Sequence, residues 1–168
     1  MCIRDSHLKN AELDSKFQSY KGRIVFRGDT VKDESGYLAV FSEQGTSASH
    51  MAAAKFMDAV ARLPDNDGEE ADATGAYTQA KLSGPETWIK LPKERWPAHW
   101  HGTYRQPVVK LDKALYGHPQ AGLYWEKHCR QKLLQLGFIP VKGWECLYKH
   151  PEKELFLSVY VDDFKMSG

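Results

Sequence analysis

Two adjacent carboxylates, Asp162 and Asp163, end a run of strand-forming residues from Leu155 to Val161. Side chains alternate between the faces of a strand, which puts Leu155, Leu157, Val159 and Val161 on one face and Phe156, Ser158, Tyr160 and Asp162 on the other. One face is then core and the other delivers an acid. Neighbouring carboxylates repel and are costly to desolvate unless a cation neutralises them or water reaches them at a turn. Two readings follow: an Asp-Asp hairpin turn, or a metal-binding hairpin. The second needs a third carboxylate from elsewhere in the chain.

Other chemistry-bearing residues form weaker patterns. His99 and His101 lie in a Trp- and His-rich loop from Lys93 to Gln106, with no further Cys or His at a supporting metal-ligand spacing. Cys2, Cys129 and Cys146 are odd in number and also lack such spacing, so they read as reduced, mostly buried thiols.

Composition permits one soluble globular domain: 168 residues, 42% hydrophobic and 27% charged. No apolar stretch approaches the roughly 18 residues of a membrane span, and the N-terminus lacks an apolar signal core. The expectation is a soluble intracellular chain, cytoplasmic or nuclear, with no membrane partner. The formal charge of +1 does not announce a nucleic-acid binder. Between Lys110 and Lys149, however, seven bases stand against three acids, which suits either a phosphate-facing surface or a solvated helix face.

Tyr160-Val161-Asp162-Asp163 resembles the Tyr-x-Asp-Asp motif of reverse transcriptases, and its flanks are similar to the copia-type retrotransposon polymerases. Leu111 to Trp125 resembles that family's Leu-x-Lys-Ala-Leu-Tyr-Gly-Leu-Lys-Gln-Ala-Pro-Arg-Ala-Trp signature. Nine identities stand in this window: Leu111, Lys113, Ala114, Leu115, Tyr116, Gly117, Gln120, Ala121 and Trp125. His118-Pro119 replaces Leu-Lys there, and Gly122 replaces Pro. Glu69 to Tyr77 resembles the family's Asp-x-x-x-Ala-Phe segment and supplies the third carboxylate, Asp72, although Glu69 and Glu70 stand where the family is apolar. A buried strand ending at Asp72 is then short.

The resemblance implies phosphoryl transfer from deoxynucleotides to a primer 3′ end on an RNA or DNA template, with two Mg²⁺ ions, or Mn²⁺ in their place, as cofactors. It makes Asp72, Asp162 and Asp163 the catalytic and metal-binding residues. Asp163 is given the weaker share, because alternation along the strand turns it away from Asp162. For the nucleotide it implies Tyr77, Lys21, Arg23, Tyr116, Gly117 and Gln120; for the primer end, Tyr160. Tyr77 reads either as a ring beneath the sugar that excludes a 2′ hydroxyl or as a core tyrosine. Lys21 and Arg23 either meet the triphosphate or guard an edge strand.

The elements expected to position these residues are few. Residues 1–6 fit no following element and read as a sequence-assembly scar. The stretch from His7 to Tyr20 is polar and helix-compatible. A strand is expected over Lys21 to Gly28, and a helix over Ser47 to Leu63. That helix would be capped by Ser47 or Ser49, with Ala52, Phe56, Ala59, Val60 and Leu63 at its apolar spacing. Thr87 to Pro92 reads as a strand. Gly122 to Leu136 reads as an amphipathic helix with Trp125, Cys129, Leu133 and Leu136 inward, ended by Gly137. A hairpin joins Trp144–Lys149 to Leu155–Val161 across Pro151 to Glu154.

The implied fold class is α+β, a polymerase palm of antiparallel sheet backed by helices with part of the fingers. Residues 7–168 make a partial reverse transcriptase domain, fingers about 20–68 and palm about 69–168. The thumb and ribonuclease H regions would lie in the remainder of a Pol polyprotein, so the isolated piece is expected to be inactive and marginally stable. One rival reading is a polymerase remnant kept as a nucleic-acid-binding module, for which His118, Pro119 and Gly122 speak and the intact acids do not. A carboxylate-pair hydrolase is the other, and no motif for a nucleophile or sugar site accompanies it.

Overall fold

The computed structural model of the chain describes residues 2–42, 45 and 48–168. In chain order its elements are β1 (Cys2–Lys9), β2 (Ser19–Phe26), α1 (Met51–Val60), β3 (Gly68–Asp72), α2 (Ala76–Gln79), β4 (Trp88–Lys90), β5 (Val108–Lys110), α3 (Ala121–Gln135), β6 (Ile139–Pro140), β7 (Leu147–His150), β8 (Leu155–Tyr160) and β9 (Asp163–Ser167). All pairings between these strands are antiparallel. The described residues therefore form an α+β fold, as expected at that level. None of its helices is long and apolar enough to cross a membrane.

Five strands make the main sheet, in the order β3-β9-β8-β7-β6. Cross-strand partners share a face, so Tyr148, Leu157 and Met166 look one way, and Leu147, Ser158 and Lys165 the other. On the first face Leu157 and Val159 join Trp125, Cys129 and Leu133 of α3 in one buried cluster. On the second, Phe156 packs edge-on against Phe56 of α1, ring centroids 5.1 Å apart, over nearly fully buried Met57 and Leu147. Burying each of those two side chains contributes on the order of 2 kcal/mol.

The expected division of β8 into a core face and a face that delivers an acid is therefore corrected: both faces are core, and Asp162 lies beyond the strand's last residue. A helix covers each side of the strand, and only its last residue, Tyr160, is open to solvent, at 56% exposed.

Helix α1 is shorter than expected, and its inward stripe is shifted by one position. Ala53 and Met57 are buried while Ala52, Ala59 and Leu63 are exposed. A run of Met and Ala permits either stripe; contact with β9 selects this one, where the Ser167 hydroxyl meets Met57 Sδ at 3.6 Å. Ser49 does not cap the helix: the N-cap is His50 without a side-chain bond, and the Ser49 N–H donates to Val159 O. Ser47 lies outside the described residues. Lys165 of β9 fastens α1 and β3 together, its Nζ 2.5 Å from Asp58 and 3.1 Å from Glu70. β3 itself is an exposed edge strand rather than a buried one, a place where Glu69 and Glu70 discourage further strand pairing.

Helix α3 ends as its sequence demands. Gly137 takes φ +90°, its N–H donates to Leu134 O, and the Phe138 N–H reaches back to Leu133 O. That is a Schellman closure, and it buries Phe138 where Leu136, 65% exposed, was expected inward.

Residues 2–6 do fit an element. β1 pairs with β2 from Cys2↔Phe26 to Lys9↔Ser19, so the stretch expected to stand apart is strand. His7 to Tyr20 is strand, turn and strand with one 3-10 turn at Ser15–Phe17 rather than a helix. The segment has no apolar helical stripe to bury, whereas backbone pairing with β2 asks for none. β4 and β5 form a further two-stranded sheet, and the β7–β8 hairpin forms as expected, with β7 starting at Leu147 instead of Trp144.

Candidate metal centre

β8, a two-residue loop and β9 deliver two of the acids. Tyr160 pairs with Asp163, which leaves Val161 and Asp162 as the loop. Across the next ladder Asp163 pairs with Asp72, the last residue of β3. Tyr160, Asp163 and Asp72 thus form a row on one face of the sheet, with Asp162 projecting from the loop beside it. Asp72, Asp162 and Asp163 each offer a carboxylate oxygen, and these atoms lie within 4.8 Å of one another. The expectation that alternation would turn Asp163 away fails because the strand ends at Tyr160, and the loop resets the direction in which the next side chain points.

Two outside donors hold the loop. The Ala73 N–H, next to Asp72, donates to Asp162 O at 2.7 Å, and the Trp125 indole Nε1–H donates to Val161 O at 2.5 Å. Sequence reasoning placed Trp125 in the core and missed this second role. The available signal was chemical: a buried indole N–H is a donor that must find an acceptor.

Among the described residues no lysine, arginine or histidine forms an ion pair with any of the three acids. Three carboxylates this close, with Asp162 half-buried, repel one another until a cation intervenes. An all-oxygen, all-anionic donor set suits a hard divalent ion such as Mg²⁺ or Mn²⁺, and these residues fit one.

Tyr77 of α2 and Tyr116 meet beside the cluster, ring centroids 4.7 Å apart and edge-on. The Tyr77 phenol is pushed up by burial first, and then by the nearness of Tyr116 and of the Asp162 carboxylate. Gly117 has φ +84°, and a Cβ there would stand 2.1 Å from Phe26 O. With the Phe26 N–H donating to Tyr116 O at 2.7 Å, the end of β2 is docked on the 116–118 loop. Gln120 caps α3, its N–H donating to His118 Nδ1 at 3.2 Å.

The structure does not bring every expected residue together. Lys21 is exposed on the β1–β2 ribbon, five residues from Phe26, roughly 17 Å at about 3.3 Å per residue. The Arg23 side chain lies outside the described residues. His99 and His101 pack on Trp100 and Trp96, their ring neighbours in the loop. Cys129 and Cys146 are not joined in a disulfide, and burial pushes each thiol up to about 11.

Residues 6–168 match a family described as reverse transcriptase (RNA-dependent DNA polymerase). The chain is 26% identical over 148 residues to the truncated transposon Ty1-A Gag-Pol polyprotein of Saccharomyces cerevisiae, covering 86% of this chain and 11% of that protein. The same identity and share of this chain hold for the transposon Ty1-BL and Ty1-DR4 Gag-Pol polyproteins of that yeast, of which it covers 8%. The chain thus spans about a tenth of the length of these relatives. No solved structure matches it.

Proposed function

Because the chain belongs to the reverse transcriptase (RNA-dependent DNA polymerase) family, and is of its copia type, we propose that it supplies the catalytic acids of a polymerase that extends a primer 3′ end with deoxynucleotides on an RNA or DNA template. The reading rests on one observation: the carboxylate oxygens of Asp72, Asp162 and Asp163 converge within 4.8 Å. In this reading residues about 69–168, the five-stranded sheet with α3, are palm, residues about 20–68, with β2 and α1, belong to the fingers, and the rest of a Pol polyprotein provides the other contacts to primer and template.

A pair of Mg²⁺ ions, or Mn²⁺, when bound supplies activation of the attacking hydroxyl and neutralisation of the leaving pyrophosphate. The protein's share is positioning and charge. Asp72 and Asp162 are the shared ligands and Asp163 a supporting one. Tyr77, backed by the ring of Tyr116, lies under the sugar and excludes a 2′ hydroxyl. Gly117 and Gln120 shape the floor beneath the nucleotide. Lys21 and Arg23 meet the triphosphate once the β1–β2 ribbon folds over it, and Tyr160 supports the primer end.

Primer extension by the complete polyprotein tests this. Asp72→Asn and Asp162→Asn should each reduce extension to background while primer–template binding persists. Normal extension by the Asp162→Asn enzyme would refute the assignment. Binding without extension in the unsubstituted protein would favour a nucleic-acid-binding remnant.

A further inference from the structure

The loop that carries Asp162 is built against the conformational preference of its own residues. Two residues, Val161 and Asp162, connect β8 to β9. Only the first has positive φ, at +57°, the sign pattern of a type II′ turn, whose first central position is glycine's. A β-branched residue there is a genuine outlier, and such conformations persist only where the surroundings over-determine them. Electrostatics pull the same way, because the repulsion among the three carboxylates is relieved if the loop swings out.

What opposes both is a tether from the core. Trp125 is 3% exposed on α3, packed in the cluster that also holds Val159, two residues before the loop. Its indole donates to the carbonyl of Val161 itself, the residue out of its preferred region. On the far side the Ala73 N–H takes the next carbonyl, that of Asp162. The loop is thus pinned at consecutive peptide units, once to the helix and once to the strand that carries Asp72.

We infer that Trp125 is a positioning residue for the metal centre: its indole N–H holds Val161 at positive φ and so fixes the Asp162 and Asp163 carboxylates toward Asp72 before a divalent cation arrives. The inference rests on the metal-centre reading, but it assigns a task to a residue that touches neither metal nor substrate.

Binding of Mn²⁺ to this chain, followed by the loss of the free-ion paramagnetic resonance signal, tests it without any turnover. Trp125→Phe keeps an aromatic ring in the core but removes the donor together with part of the indole's volume. It should weaken Mn²⁺ binding about three- to tenfold, the worth of one hydrogen bond. Adding Val161→Gly to that variant should restore most of the loss, since glycine takes positive φ unaided; a purely packing role for Trp125 would not be rescued this way. In the unsubstituted chain the Trp125 indole proton should resist solvent exchange, and its resonance should shift on Mg²⁺ addition with the midpoint of cation binding.

Unchanged Mn²⁺ affinity in Trp125→Phe, failure of Val161→Gly to restore it, or an indole resonance indifferent to Mg²⁺ would each overturn the inference while leaving the proposed function standing. Mn²⁺ binding that is absent, or is indifferent to Asp162→Asn, would overturn both.

Discussion

Asp72 stands directly opposite Asp163 across the β3–β9 ladder, two like charges in register on one face of the sheet. Such a pair destabilises a sheet, so the centre holds its acids at a cost to the empty fold. Asp163→Asn should raise the stability of the chain in chelator by about 0.2–1 kcal/mol, the scale of a cross-strand pair, read from urea denaturation. Added Mg²⁺ should then stabilise the unsubstituted chain more than the variant, because binding to the folded state alone adds stability by mass action. A variant less stable in chelator would mean that the two carboxylates do not repel in the folded chain.

Gly117→Ala probes the contact between β2 and the 116–118 loop. Gly117 and Gly143 have similar positive φ, +84° and +82°, but a Cβ on Gly117 would stand 2.1 Å from Phe26 O whereas one on Gly143 would meet nothing within 4 Å. Gly143→Ala should therefore cost only the left-handed penalty, about 1–2 kcal/mol. Gly117→Ala should cost clearly more, because backbone rather than a flexible side chain must move. Equal losses of denaturation midpoint would remove the close approach as the reason for this glycine.

The parts of the fold that were legible in the sequence are those where chemistry and periodicity coincide. Gly137 ended α3 where a left-handed closure was needed, and the run from Leu155 with its Pro151–Glu154 turn made a hairpin. The errors have a common cause. In β1 and in the stripe of α1 the local sequence permits more than one arrangement, and the partner decides: β2 recruits Cys2–Lys9 into an antiparallel pair, and Ser167 meets Met57 where an Ala52-centred stripe would have served as well. Asp163 was misplaced for a subtler reason. Alternation holds only while a strand continues, and nothing in Val161, a poor turn residue, announced that the strand stops at Tyr160.

Tyr77→Ala tests sugar selection in the complete polymerase. The ring is half-buried against Tyr116 with the Asp162 carboxylate near its hydroxyl, where a nucleotide sugar would lie if the acids hold its phosphates. Removing the ring should increase ribonucleotide incorporation relative to deoxynucleotide by about tenfold or more, the scale of discrimination that a steric pocket provides. An unchanged ratio with a lower melting temperature would make Tyr77 a packing residue only.

His118 gives the fold an acid-sensitive joint. It occupies the signature's leucine position and is 5% exposed, with its ring 5.3 Å from Phe26 and 5.7 Å from Phe41. Nδ1 accepts the Gln120 N–H at 3.2 Å, so Nε2, 3.3 Å from the Thr87 hydroxyl, carries the proton in the neutral ring. Protonating Nδ1 would set a donor against a donor at the cap of α3, and burial lowers the pKa of this histidine from its ordinary value. The unfolded chain then binds the proton more readily than the folded one, and stability falls as protons are added. The contribution is complete above the unfolded pKa, about 6.5, and is lost as pH falls from there toward the folded value. His128 is also lowered, by burial first, and adds to the same trend. His118→Leu should therefore flatten, without abolishing, the decline of the urea midpoint between about pH 7 and pH 5. A variant whose midpoint falls as steeply as that of the unsubstituted chain would show that His118 keeps its ordinary titration inside the fold.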